Sequence, residues 1–354
     1  MAVVAAVAGC GGGDDGGATA SSADEVTEPA PTAPEGPTST APADTGPGSV
    51  TDLVGRAAHD PDADLPLARY FSLERYREGT DLPEGLEGEE LVDAVFFEGM
   101  ADGLPASPHG ELLETRRTEP GVLPPEGLVA SYEDLSVDGT LLVGEWDPEA
   151  VVGGYAEVVG PVEEVEVDGF RVVRAADPGT GGADGSSGDV ITAGLYARSA
   201  VAVAPDGSEV VFGAEGDGTD AVADDEAGTA LSVAGVAEVA EALDAAGAYS
   251  AALFVEVGEP GQEGPLPETW TTGAVATAVD EDGGSRAYTV LWQEDAAAAE
   301  ANADALVDVV EGTEDCVDPA TAEVHGALLV VSCAHGGRWV TDVVARYPLG
   351  PLFS

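Results

Sequence analysis

The chain contains no lysine, and its 12 basic residues, all arginines, stand against 68 aspartates and glutamates. The formal net charge is −56 at pH 7. A surface of that sign repels the phosphates of nucleic acids and of anionic lipid headgroups, so we expect no nucleic-acid partner. The carboxylates are spread along the whole chain, which indicates a uniformly solvated surface adapted to a salty or otherwise demanding medium. A cation-binding surface is the alternative, but no tight cluster of ligands stands out.

Residue types that carry catalysis are also scarce. There are four histidines, and the patterns G-x-S-x-G, S-x-x-K, H-E-x-x-H and G-x-x-x-x-G-K-[ST] do not occur. His59 and His109 fall in predicted loops beside aspartate or glycine, where an ordinary solvated imidazole is expected. We therefore predict that the protein is not an enzyme and that it binds no cofactor and no metal.

One aspartate triplet imitates a calcium loop. Asp60, Asp62 and Asp64 have the 1, 3, 5 spacing of such loops, but Leu65 stands where the glycine belongs and Phe71 where the bidentate glutamate belongs. In so acidic a chain a triplet of this kind arises by chance, so we predict no specific calcium site there.

Aromatic residues make up only 5% of the chain, although hydrophobic residues make up 44%. The interior must therefore be built mainly from alanine and valine. We expect Trp146, Trp270 and Trp292 to pack in the core or at its rim. No run reaches the 18 consecutive apolar residues that indicate a transmembrane helix. Residues 50–354 are enough for one large domain or two ordinary ones.

The first ten residues contain a motif that indicates the cellular location of the protein. In Ala6-Val7-Ala8-Gly9-Cys10 an apolar stretch ends in two small residues and a cysteine. This segment resembles the lipobox of bacterial lipoproteins, in which a diacylglycerol is attached to the cysteine thiol and a signal peptidase cuts just before it. The resemblance implies a signal peptide at 1–9, acyl chains such as palmitate on Cys10, and a lipid anchor at the extracytoplasmic face of the cell membrane. Two or three chains, at roughly 0.8 kcal/mol per buried CH₂, make a stable anchor.

Two features flank this motif. Residues 1–9 carry no charge and the first basic residue is Arg56, whereas a secretory signal begins with positive charge, so we expect the translation start to lie upstream. Residues 10–49 are rich in Gly, Ser, Thr, Ala and Pro, a composition that predicts a disordered tether. The alternative is a chance cysteine in an Ala/Gly-rich cytoplasmic N-terminus.

Cys316 and Cys333 are the remaining cysteines. In the oxidising compartment that the lipobox implies, two such residues are expected to form a disulfide. His325 and His335 lie close by, so a Cys/His zinc site is one alternative, although the spacing matches no zinc motif. Two free thiols are the other.

Turn signals divide the folded part into hairpins. Asp138-Gly139, Asp168-Gly169 and Gly283-Gly284 each separate two apolar-rich runs, which is typical of antiparallel hairpins. The strands predicted from these and neighbouring runs are 128–135, 140–146, 162–167, 170–175, 191–196, 199–204, 209–214, 251–257, 274–279, 286–293 and 324–333.

Helical spacing of apolar residues lies between the hairpins. Predicted helices begin after Asp147, Ser232 and Asp295 as N-caps and end at Gly160, Gly247 and Gly312. This alternation predicts an α+β fold, an antiparallel sheet of hairpins with helices packed on one face. Our hypothesis is that 140–176 and 274–333 belong to two similar subdomains. We place an α+β domain at 50–257 and a C-terminal α+β unit, packed on it, at 258–354.

In composition and organisation the chain is similar to cell-envelope lipoproteins of high-GC Gram-positive bacteria, the actinobacteria. The resemblance implies a surface-tethered lipoprotein with a non-enzymatic binding or envelope-structural role, whose partner is an unidentified protein or small molecule. Two alternatives stay open. A substrate-binding lipoprotein of an ABC importer fits the size and anchor, although such receptors usually show two lobes with parallel strands. An envelope hydrolase would need a pair of carboxylates across a cleft.

Overall fold

An antiparallel sheet organises the computed structural model of the protein. The structure describes residues 46–60, 67–95, 123–176, 200–213, 222, 228–254, 266–312 and 316–335, apart from residues 81, 84, 93, 138, 281 and 282. All of these residues belong to one compact unit of the chain, Ala41–Ser354.

The described residues form twelve strands in one sheet, in the order β11-β12-β10-β9-β8-β1-β2-β3-β7-β6-β5-β4. All pairings between the described strands are antiparallel. β1, the sixth strand in this order, pairs with β8, which is far from it in sequence, and Arg69 lies opposite Ala252. The strands are β1 (Leu67–Ser72), β2 (Leu128–Asp134), β3 (Gly139–Gly144), β4 (Val162–Val167), β5 (Phe170–Ala175), β6 (Ala200–Val203), β7 (Glu209–Gly213), β8 (Ala248–Phe254), β9 (Trp270–Val279), β10 (Ser285–Gln293), β11 (Thr321–His325) and β12 (Leu328–Ala334).

Six α-helices accompany the sheet in the described ranges, with 3-10 turns at Pro125–Gly127 and Ala230–Ser232. The antiparallel sheet and these helices confirm the α+β class. The helices are α1 (Val50–Val54), α2 (Leu73–Gly79), α3 (Gly88–Val92), α4 (Pro148–Val159), α5 (Val236–Ala245) and α6 (Ala296–Glu311).

Helices pack on both faces of the sheet, so the prediction that they share one face is wrong. Leu141 and Val143 of β3 share a core with α1 and α5 on what we call the front face. Leu142, between them, points to the opposite, back face and packs in the core that contains α4. At the other end of the back face, α6 packs against Leu329 and Val331 of β12. The central strands are therefore buried on both sides; every residue of β8 is buried.

Helix caps and turn residues in the sequence predicted several helices and hairpins correctly. Asp147 caps α4, since its side chain accepts from the Glu149 N–H, and Asp295 caps α6 in the same way through Ala298. Asp168 and Gly169 have φ of 50° and 87°, the left-handed conformations that the tight turn between β4 and β5 requires.

Two local predictions are wrong. Ser232 ends a 3-10 turn, and the residue before α5 is Gly235, whose φ of 84° is left-handed and which makes no side-chain cap bond. The predicted single strand 324–333 is the hairpin β11–β12, because Gly326, with a φ of 64°, reverses the chain. The predicted strand 191–196 lies outside the described residues.

The predicted division at 257 and 258 falls between β8 and β9, which are neighbours in the sheet. Residues 46–49, assigned to the tether, form the turn and the cap that precede α1. The tryptophans lie in or against the cores, as expected: Trp146 is buried on the back face, while Trp292 and Trp270 pack against separate clusters.

Candidate functional site

The first described segment, residues 46–60, lies along the front face and is called here the N-terminal strap. It contains α1, whose Val50, Leu53 and Val54 are fully buried. Just before α1, Gly48 has a φ of 84°, and a Cβ there would lie 3.1 Å from the Cβ of Ala130. Only glycine suits so close a backbone approach in this conformation.

One buried carboxylate holds the beginning of the strap. Asp244, near the end of α5, accepts hydrogen bonds from the N–H of Val50 at 2.8 Å, from the N–H of Thr51 at 2.9 Å and from the Thr51 hydroxyl at 2.6 Å. These N–H groups belong to the first turn of α1, which has no partners within the helix for them. Asp244 therefore joins two helices that are far apart in sequence.

The charge of this carboxylate is balanced by Arg75 of α2. Its Nη2 lies 2.9 Å from Asp244 Oδ1, and its Nη1 donates to the carbonyl of Ala248 at 3.0 Å. The Asp244 side chain is fully buried and that of Arg75 is 12% exposed. Because a buried charge is costly without a partner, the two residues depend on each other.

A second buried carboxylate holds the end of the strap. His59 Nδ1 lies 2.9 Å from Oδ2 of Asp134, the last residue of β2, and both side chains are 2% exposed. Ser136 Oγ lies 3.1 Å from the same nitrogen and accepts the N–H of Asp60 at 2.8 Å. The backbone N–H of His59 donates to the carbonyl of Gly228 at 2.9 Å.

His59, Asp134 and Ser136 are the residue types of a serine hydrolase, but their geometry differs from that of a catalytic triad. In a triad the carboxylate and the serine bind opposite nitrogens of the imidazole, so that the ring can take the serine proton. Here Asp134 and Ser136 both meet Nδ1, and a nitrogen that donates its proton to Asp134 cannot accept one from Ser136. The arrangement fastens the strap to β2 and does not activate a nucleophile.

Two buried tyrosines lie beneath the strap. Tyr70 of β1 donates its hydroxyl to the carbonyl of Gly48 at 3.0 Å. Tyr132 lies opposite Tyr70 on β2, and its hydroxyl has no hydrogen-bond partner within the described ranges. Burial, and then the nearby charge of Asp134, raise the pKa of Tyr132 well above its usual value.

Arginines elsewhere in the described structure also face carboxylates. Arg171 of β5 contacts both Glu149 at 2.7 Å and Glu164 at 2.8 Å, and these hydrogen bonds raise its pKa. Arg69 of β1 lies 3.5 Å from Glu133, its cross-strand neighbour. Both arginines are therefore paired with carboxylates, and the excess of acidic residues accounts for the net charge of −56.

The predicted disulfide is formed: the sulfurs of Cys316 and Cys333 are 2.01 Å apart. The bond links Cys316 to Cys333 of β12, which lies in the core with α6. Bonded sulfurs cannot bind zinc as thiolates, so the zinc alternative at these cysteines is wrong. His325 is exposed on β11 beside Glu323.

Other predicted residues have different outcomes. Cys10, His109, Asp62 and Asp64 lie outside the described residues. The solvated interpretation of His59 is wrong, because its side chain is buried and lies against Asp134. Within the described part of the chain no group of three or more His, Cys, Asp or Glu side chains could hold a metal ion.

Sequence reasoning missed Asp244, which accepts three hydrogen bonds from the strap. It sits in the last turn of α5, where the helix dipole disfavours a negative charge. An acid in that position next to the buried stripe of Val239 and Leu243 was the available signal of a specific partner.

Comparison with known proteins gave no relatives: no family model, no curated protein and no solved structure matches the chain. None of the described helices is both long enough and apolar enough to cross a membrane.

Proposed function

We propose that the protein is a lipoprotein, anchored through acyl chains on Cys10 at the extracytoplasmic face of the cell membrane. The observation that carries the proposal is the small-residue motif before Cys10, followed at once by a Pro- and Gly-rich tether. The disulfide between Cys316 and Cys333 supports it, because such bonds persist in oxidising compartments outside the cytoplasm.

We further propose a non-enzymatic role in binding or in envelope structure. The imidazole of His59 and the carboxylates of Asp134 and Asp244 are buried titratable groups of the kind that can transfer protons. All three are engaged in holding the N-terminal strap, which favours a structural use of these groups. The antiparallel sheet also favours this role over an importer receptor with two parallel-stranded lobes.

The proposal extends to two related halves of the fold. In one half the hairpin β2–β3 is followed by α4 and by strands that return until β7 pairs with β3. In the other half the hairpin β9–β10 is followed by α6 and by strands that return until β12 pairs with β10. β1 and β8 precede these hairpins and pair with each other where the two halves meet. This shared order supports two similar subdomains.

The anchor is tested by intact-mass analysis of the native protein from the membrane fraction. We expect an acylated species that begins at Cys10, and a Cys10→Ala variant that leaves the membrane fraction. Native protein in the cytosol, without acyl chains and with Cys316 and Cys333 reduced, would contradict the proposal.

The non-enzymatic role is tested by two further measurements on the purified domain. A metabolite that raises the melting temperature in a thermal-shift screen would favour the importer receptor. Turnover of envelope glycans that is lost after a single Asp→Asn change would favour the hydrolase. We expect neither result.

A further inference from the structure

The N-terminal strap is fastened at both of its ends, and the two fastenings lie on opposite sides of the sheet centre. Asp244 belongs to α5, which leads into β8, and Asp134 belongs to β2, which pairs with β1. β1 lies between β8 and β2, and its pairing with β8 is where the two halves of the fold meet. The strap therefore contacts both halves of the fold at the point where they join.

We propose that the strap transmits tension from the tether to the centre of the sheet, so that a pull on the N-terminus does not peel the strap away first. The inference rests on the proposed function, since only a tethered domain experiences such a pull. It assigns a mechanical role to Asp244, Arg75 and Tyr70.

The first step of the transmission is at Asp244. Three hydrogen bonds from two consecutive residues, Val50 and Thr51, end on its carboxylate. When the tether pulls on Val50, these bonds share the load and must break together, which makes them more resistant than bonds that break one after another. The buried side chains of α1 resist the same movement, since leaving the core exposes apolar surface to water.

The second step carries the load from Asp244 into the sheet. Arg75 binds Asp244 through one nitrogen and the carbonyl of Ala248, the first residue of β8, through another. The carboxylate therefore cannot follow the strap outward without moving β8. Tyr70 provides a parallel route into β1, because its hydroxyl binds the carbonyl of Gly48 just before α1.

Optical-tweezer pulling on the full chain tests this inference, with Cys10→Ala to remove the lipid site. Handles are attached through Thr45→Cys, next to the strap, and Glu163→Cys, on exposed β4. Release of the strap alone would lengthen the chain by at most about 50 Å, since its fifteen residues span roughly 3.3–3.6 Å each when extended. We expect the parent chain to rupture without such an early step.

Two variants weaken the first fastening. Asp244→Asn should produce the early step of about 50 Å. Thr51→Val removes only the hydroxyl bond and keeps the shape of the side chain, so it serves if Asp244→Asn does not fold. The time to the first lengthening of the chain at constant force should fall about tenfold relative to the parent. Glu323→Gln, which alters an exposed ion pair with His325 on β11, at the edge of the sheet opposite the β4 handle, should leave the traces unchanged.

An early step of about 50 Å in the parent chain would overturn the inference, as would traces of Thr51→Val and of a folded Asp244→Asn that match the parent. Because the pulled chain carries no lipid, these results are independent of the mass analysis of Cys10. A missing acyl group would remove the source of the tension, whereas an early step would refute the role of the strap.

Discussion

The two tyrosines under the N-terminal strap provide a matched pair for testing the packing of the front face. Tyr70 and Tyr132 lie opposite each other on neighbouring strands, and each is 1% exposed. Tyr70 donates to the Gly48 carbonyl, whereas among the described residues the Tyr132 hydroxyl has no partner. The same substitution at the two positions should therefore have opposite effects.

Tyr70→Phe removes a hydrogen bond and leaves the Gly48 carbonyl without that donor, so we expect the free energy of unfolding to fall by about 1–3 kcal/mol. Tyr132→Phe removes a buried polar group that makes no hydrogen bond to the described residues. The free energy of unfolding should stay the same or rise by up to about 1 kcal/mol. The two variants should differ by about 2 kcal/mol.

Urea unfolding of the Cys10→Ala chain at pH 7, followed by circular dichroism, measures both variants against the parent. The midpoint should shift with an unchanged slope if only stability changes. Equal losses in the two variants, or a larger loss for Tyr132→Phe, would refute the assignment of the hydrogen bonds.

The stability of Tyr132→Phe can also be tested at alkaline pH. Because its pKa is raised in the folded state, Tyr132 holds its proton more tightly there than in the unfolded chain, where the pKa of tyrosine is about 10. The stability that this proton binding contributes is complete below about pH 10 and is lost as the pH rises toward the folded value. Tyr132→Phe should therefore keep more of its stability above about pH 10 than the parent does.

Three further predictions concern other parts of the fold. Gly207→Ala should lower the free energy of unfolding by at least about 2 kcal/mol, because φ is 73° and the new Cβ would meet the carbonyl oxygen of Trp146. Gly153→Ala serves as the comparison. Because its new Cβ on α4 would meet no other atom, the free energy of unfolding should rise by about 0.5–1 kcal/mol. Reduction of the disulfide, whose cysteines are 17 residues apart, should cost about 3 kcal/mol in urea unfolding. Burial raises the pKa of Tyr155 to about 12, so its contribution to stability should be lost between about pH 10 and 12, which Tyr155→Phe would prevent.

Each of these predictions has an outcome that contradicts it. Equal effects of alanine at 207 and 153 would contradict the close approach at the first position. An unchanged urea midpoint after confirmed reduction would contradict the stabilising role of the disulfide. Alkaline unfolding that is identical in Tyr155→Phe and the parent would contradict the burial of that hydroxyl.

Sequence signals recovered the elements whose determinants are local. The hairpin β4–β5 follows from Asp168-Gly169, and α4 follows from Asp147 and Pro148, because the turn and the cap depend on a few adjacent residues. The disulfide also followed from cysteine count and expected compartment.

The remaining features depend on contacts between distant residues. β8 is covered by α5 on the front face, and on the back face its residues pack in the clusters that contain α2 and α6. No periodicity within β8 indicates which helices cover it. His59 and Asp134 are 75 residues apart, and Asp244 and Val50 are 194 apart. Such pairs become visible only when the fold has brought them together.

The outermost strand β4 carries three exposed glutamates, Glu163, Glu164 and Glu166. A sheet that ends in a free strand can in principle recruit the same strand of a neighbouring molecule and grow into a fibre. Aligning two copies of β4 would bring six carboxylates against one another, and their repulsion opposes that growth. Molecules crowded side by side should consequently stay separate.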